Sequence, residues 1–284
     1  VTTNVVDVYD TGIFNSSDVP FDGSNTVVAI LDSGFDTHHS VFQNIPAEDT
    51  QLFKRSDIEK VIDESVAAQL TPGLKASDVY INGKIPFAYD YADHDPVVDP
   101  LSSEHGTHVG GIIAGKDDTI TGVATNAQLV LMKVFSDFKE GANTDDILAG
   151  LEDSVLLGVD AINMSLGTSC GFTRPTDEDY LNKVYDSIEK AGISLVVAAS
   201  NSYSAGFNTA GGNTNKVTTP DAGTVGSPST YEGALSVASI SGVKSNYIVS
   251  DEGYVFYYIE SNNSTGVAYN FADMLDLPQT GSKT

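Results

Sequence analysis

Val27-Val28-Ala29-Ile30-Leu31-Asp32-Ser33-Gly34 is the stretch that decides the fold. Its apolar residues run together without alternation, the pattern of a strand buried on both faces in a parallel sheet. The run stops at Asp32, and Ser33-Gly34 turns the chain. Open α/β sheets do their chemistry just beyond the carboxyl ends of the strands, where Asp32 would lie. An aspartate before glycine is also an ordinary turn former, so position alone gives it no role.

Outward from this strand the pattern repeats. Gln128 to Phe135 reads as a second strand. Thr144 then starts a helix with Asp145 and Asp146 in its first turn, favourable at the positive end of the helix dipole. Ile147, Leu148, Leu151, Val155 and Leu156 give this helix an apolar stripe, and Gly158 closes it. Val159 to Leu166 is the next strand, residues 178–191 the next helix, and Ile193 to Ala199 a strand ending in Ser200-Asn201. Leu235 to Ile240 is one more. Strands alternating with helices on short links predict a parallel sheet with helices on both faces. Residues 1–25 read as an extended lead-in, 43–100 as irregular with a short helix near 57–69, and 203–226 as loop. Beyond 243 the chain turns aromatic and β-branched (Tyr247-Ile248-Val249, Tyr254 to Ile259), which marks a separate β-rich unit.

Ser103-Glu104-His105-Gly106-Thr107-His108-Val109-Gly110-Gly111-Ile112-Ile113-Ala114-Gly115 passes from a polar loop into a helix. Val109, Ile112 and Ile113 predict a buried face, and Gly110, Gly111 and Ala114 a face open to close approach. Each helical glycine costs about 1 kcal/mol relative to alanine, so the geometry must need them. His105 at the helix start would be held rigidly, which suits a general base. A lone histidine in such a helix is more often structural.

The 284 residues, 40% of them hydrophobic, can bury one large core. With 14 basic and 39 acidic residues the net charge is −25, which repels nucleic acid and anionic membrane surfaces. The single cysteine, Cys170, excludes an intrachain disulfide. No run approaches the about 18 apolar residues that would span a bilayer, so no membrane insertion is expected here. Asp90, Asp93, Asp95 and Asp99 offer oxygen ligands suited to calcium, but their spacing matches no known loop, and a solvated acidic surface is the simpler reading.

Asp32 after a buried strand, His105 at a helix start and Asn201 after a later strand make a candidate constellation. A carboxylate can orient an imidazole, and an amide can donate to a developing oxyanion. A metal hydrolase built from Asp32, His38, His39, His105 and His108 is the rival chemistry. It lacks the glutamate general base that zinc-protease helices place between their histidines.

The segments Val28 to Gly34, His105 to Gly111 and Ala198-Ala199-Ser200-Asn201 resemble the motifs of the subtilisin-like serine proteases. Ile162 to Gly167 is similar to that family's substrate-lining strand, and Thr224 to Ser229 to the stretch before its late strand. The resemblance covers about residues 20–242, and the polar segment before His105 looks like the cell-envelope proteinase and C5a-peptidase branch. It implies a three-layer α/β fold with a mainly parallel sheet, helices on both faces and an incomplete carboxyl terminus. Residues 1–25 would be a lead-in, 26–243 the peptidase domain without its nucleophile segment, and 244–284 the start of an inserted protease-associated-like domain. Asp32 would orient the base, His105 act as base and acid, and Asn201 serve the oxyanion hole. Ser165, Leu166 and Gly167 would pair with an extended peptide substrate, and Ala198, Ala199 and Ser200 would line the pocket for the residue before the scissile bond. Ser200 stands where the family has glycine. His108 would have a packing role.

The family's Gly-Thr-Ser nucleophile segment does not follow Asn201. Gly167-Thr168-Ser169-Cys170 has similar letters but continues the substrate strand, and nothing near Cys170 would lower its thiol pKa. The expected function is therefore a serine endopeptidase whose serine lies downstream or on a second chain, making that carboxyl-terminal remainder a partner and the segment alone inactive. A nucleophile-lacking module that binds peptides is the alternative. No cofactor is required; calcium is left open without a site. The family also implies secretion or attachment to a bacterial cell wall.

Overall fold

The computed structural model describes residues 21–101, 103–168, 180–201 and 225–239, and two further strands. Six parallel strands form one sheet: β1 Val27–Asp32, β2 Phe87–Asp90, β3 Gln128–Lys133, β4 Ala161–Met164, β5 Ser194–Ala198 and β6 Ala234–Val237. Their order is β2-β3-β1-β4-β5-β6. The central β1 has the later strands β3 and β4 on its two sides, so the order reverses there and leaves a crevice at its carboxyl end. Asp32 closes β1 at that point.

Six α-helices accompany the sheet among the described residues: α1 Arg55–Val61, α2 Val66–Leu70, α3 Ala76–Val79, α4 His105–Ala114, α5 Thr144–Leu157 and α6 Tyr180–Lys190. Alternate residues of β1 enter two cores. Val27, Ala29 and Leu31 pack with Leu151 and Leu157 of α5 and Tyr185 and Ile188 of α6. Ile30 packs on the other face with Phe35, Val41, Phe42 and Ala114 of α4. This is the three-layer α/β arrangement expected from the alternation of strands and helices. Gly158 ends α5 in the left-handed conformation (φ 67°), as its position implied.

Three expectations need correction. Phe87–Asp90, expected to be irregular, is the edge strand β2, all four residues buried. The buried face of α4 is its small-residue face, Gly106, Gly110, Gly111 and Ala114, while Ile112 is 61% exposed. A Cβ on Gly110 would lie 2.9 Å from the Phe42 ring, so the helix lies too close to the core for larger side chains. On α5 the inward residues include Asp153 and Ser154, whereas Val155 is exposed. Asp153 turns in because its carboxylate accepts the N–H groups of Val66 and Ala67 at the start of α2 and the hydroxyl of Tyr91.

The chain divides into a unit of Val5–Ala238 and one of Val1–Asn4 with Ser239–Thr284. In the second, β7 Asn246–Val249 and β8 Val255–Tyr258 pair antiparallel.

Candidate active site

Asp32 is carried to the sheet edge by β1 and is 1% exposed. Its Oδ1 accepts the N–H of Ser33 at 2.7 Å and lies 2.7 Å from Nδ1 of His105, the first residue of α4. With its proton on Nδ1, the imidazole donates to the buried carboxylate. The His105 side chain is 53% exposed, so the rest of the ring faces outward. Asp32 Oδ2 is buried and has no hydrogen-bond partner among the described residues. A buried carboxylate on one ring nitrogen fixes the tautomer, leaves Nε2 free to take a proton and favours the charged ring afterwards.

Gly106 makes this approach possible. A Cβ there would meet the Gly34 carbonyl oxygen, come within 2.9 Å of the Phe35 ring and lie 3.1 Å from Asp32 Cβ. The loop after β1 is tied to the same helix by the Asp36 N–H, which donates to the Thr107 hydroxyl at 2.8 Å.

Ser165, Leu166 and Gly167 continue β4, and Ala199, Ser200 and Asn201 continue β5, its neighbour in the sheet. Since β4 also pairs with β1, both extensions leave the same carboxyl edge that carries Asp32. Asn201 is exposed. Gly226 and Ser227 close these extensions together: the Thr168 N–H donates to the Ser227 carbonyl and the Gly226 N–H to the Ala199 carbonyl, both at 2.8 Å. Ser200 has φ of 101°, the region that favours glycine.

Residues 23–271 match the subtilase family, Peptidase_S8. The chain belongs to that family. The PIII-type proteinase of Lactococcus lactis subsp. cremoris (strain SK11) is 35% identical over 233 residues, 78% of this chain and 11% of the relative. The PII-type proteinase of Lacticaseibacillus paracasei is 34% identical over the same length, 78% of this chain and 12% of the relative. C5a peptidase of Streptococcus pyogenes serotype M3 (strain ATCC BAA-595 / MGAS315) is 31% identical over 228 residues, 77% of this chain and 18% of the relative. These proteinases and the C5a peptidase belong to the branch that the motifs resemble. The chain spans less than a fifth of the length of each. A solved structure, the self-cleaved protease domain of PatA, aligns at 20% identity and TM-score 0.46 over 76% of this chain and 58% of that one.

Elsewhere in this subtilase the acidic cluster differs from its expected solvated form. Asp90, Asp93 and Asp137 are the one group of three or more metal-ligand-type side chains among the described residues. They surround the buried ammonium of Lys133, which bonds Asp90 and, at 2.7 Å, Asp137, and lies 3.6 Å from Asp93. Burial acts to lower the Lys133 pKa, but the Asp137 and Asp90 carboxylates outweigh it and hold the value above 10.5. The cluster already has a cation from its own chain. No histidine joins such a group among the described residues, so Asp32, His38, His39, His105 and His108 do not assemble as a metal site.

His108 does not pack in the core. It is exposed and lines a cavity of about 450 Å³ with Asp36, His39, Ile112 and Ile120. Gly226 was no candidate from sequence, and its role needs the fold to be seen. Ser169, Cys170 and residues 202–224 lie outside the described residues.

Proposed function

We propose that this chain supplies Asp32, His105 and Asn201 of a serine endopeptidase whose attacking serine comes from a later segment or a second associated chain. The observation that carries the reading is the 2.7 Å contact between buried Asp32 and the outward-facing His105 at a sheet switch point. In this mechanism the serine hydroxyl attacks a peptide carbonyl while His105 Nε2 takes its proton. Asp32 stabilises the imidazolium that forms, and His105 then gives the proton to the leaving amine. The Asn201 amide donates to the oxyanion. Ser165, Leu166 and Gly167 receive the peptide backbone as an added strand. No cofactor takes part in making or breaking these bonds; calcium has no assigned site. The names of the relatives support export or wall attachment in a bacterium.

Peptide hydrolysis measured on residues 1–284 alone, and on the chain extended by its downstream coding sequence, tests the reading. The first should be inactive and the second active. Turnover by 1–284 that vanishes in Ser169→Ala would overturn it, and tight peptide binding without hydrolysis by the extended chain would make this a peptide-binding module.

A further inference from the structure

The cavity of about 450 Å³ that His108 lines flanks α4, and none of the residues assigned above to the triad, the oxyanion or the peptide lines it. Glu104, His108 and Ile112 reach it from one face of the helix, each four positions from the last. Val41, Pro100 and Ile120 supply further apolar wall. The walls are tied together by hydrogen bonds. The Asp36 N–H donates to the Thr107 hydroxyl at 2.8 Å, and the Val41 N–H to His39 Nδ1 at 3.3 Å. The cavity is thus formed before any ligand arrives.

Gly111 is also part of its lining, and packing does not explain that glycine. Gly106 and Gly110 are forced by their neighbours, the Gly34 carbonyl and the Phe42 ring. A Cβ on Gly111 would meet only a Val41 methyl, at 3.9 Å, which is ordinary contact. Alanine there would favour the helix, so the fold gains nothing from the missing side chain. What the glycine does is leave the cavity deeper.

The charge of the lining is one-sided. Asp36 and Glu104 contribute carboxylates, no lysine or arginine lines the cavity among the described residues, and the histidines count as neutral at pH 7. Neither carboxylate enters an ion pair among the described residues, unlike the acidic cluster around Lys133. Ile112 and Ile120 are 61% and 44% exposed. Apolar walls with carboxylates and no cation beside them complement a positive head group on an apolar body.

We infer that this cavity binds a small organic monocation, an ammonium or guanidinium group on an aliphatic body, presented by a free amine or by a lysine or arginine side chain. The inference does not rest on the endopeptidase reading. The test titrates n-hexylamine, 1-hexanol and hexanoate calorimetrically into the extended chain at neutral pH. Hexylamine binds saturably, the alcohol about fivefold more weakly, and hexanoate not at all. The double variant Asp36→Asn with Glu104→Gln removes the preference for the amine over the alcohol. Its asparagine keeps the oxygen that accepts the His38 N–H. Gly111→Ala weakens hexylamine about threefold, the worth of one displaced CH₂, while melting at or above the wild-type temperature. N-acetyl-lysine methylamide, set against its norleucine counterpart, identifies the source. Competition between the lysine compound and hexylamine assigns a polypeptide side chain, and hexylamine binding without it assigns a free amine. Equal binding of amine and alcohol, or binding of hexanoate, overturns the inference. So does an amine preference that survives the double variant, or full hexylamine affinity in Gly111→Ala. The ligand series on wild type decides even where a variant fails to fold.

Discussion

Gly106 lies directly against the carbonyl of Gly34, and this backbone contact sets how closely His105 approaches Asp32. Two effects oppose each other in Gly106→Ala. Alanine improves helix propensity by about 1 kcal/mol. Its Cβ would however clash with backbone that cannot swing aside, and with the buried Phe35 ring. Overpacking of this kind costs about 1–3 kcal/mol. The substitution should therefore lower stability and, by displacing the imidazole, reduce kcat more than it raises KM. A melting temperature above wild type with full activity would contradict the packing argument.

Asn201 extends β5 and is exposed, so Asn201→Ala should leave the fold intact. Losing one oxyanion donor typically lowers kcat by about 10²–10³, with little change in KM, because the bond strengthens in the transition state. A lower melting temperature with kcat within a few-fold of wild type would make Asn201 a turn residue only.

Lys84 is fully buried, and its ammonium donates to the Thr125 and Ala127 carbonyls at 2.7 and 2.8 Å. Burial pushes its pKa from 10.5 down to about 8. The folded state thus binds this proton less tightly than the unfolded chain. The cost of the charged form is fully present below pH 8 and fades as the pH rises to 10.5. Relative to Lys84→Met, wild type should gain up to about 3 kcal/mol of stability across that window in urea titrations. Parallel curves for the two proteins would refute the assignment.

Lys133 is the one cation facing Asp90, Asp93 and Asp137 among the described residues. Lys133→Met leaves these carboxylates uncompensated at the end of β3 and should cost about 3–5 kcal/mol at neutral pH. A loss under 1 kcal/mol would show that water screens the cluster.

The sheet was legible where apolar runs were long, as in β1 and β3, and where helices carried a strong period, as in α6. The edge strand β2 was not, because Phe87-Ala88-Tyr89-Asp90 is short and lies among acidic residues that look solvated. Asp90 becomes a buried residue only through Lys133, 43 positions later, and no local pattern reveals that pairing. The buried face of α4 was misassigned because glycine carries no hydrophobic signal, although close approach selected it. Asp153 was missed for the opposite reason: its charge reads as surface while its partners lie in α2 and at Tyr91. The motifs announced Asp32 and His105, but the close packing of Gly226 between Thr168 and Ser200 needed three segments brought together.

The most direct test is covalent labelling of the active extended chain with a fluorophosphonate, followed by mapping of the modified residue. A serine outside residues 1–284 should carry the label, and His105→Ala and Asp32→Asn should each abolish or greatly slow the modification. Labelling of Ser169 or of another serine within 1–284, or labelling that proceeds at the wild-type rate without His105, would contradict the assignment of Asp32 and His105 to a serine activated from elsewhere.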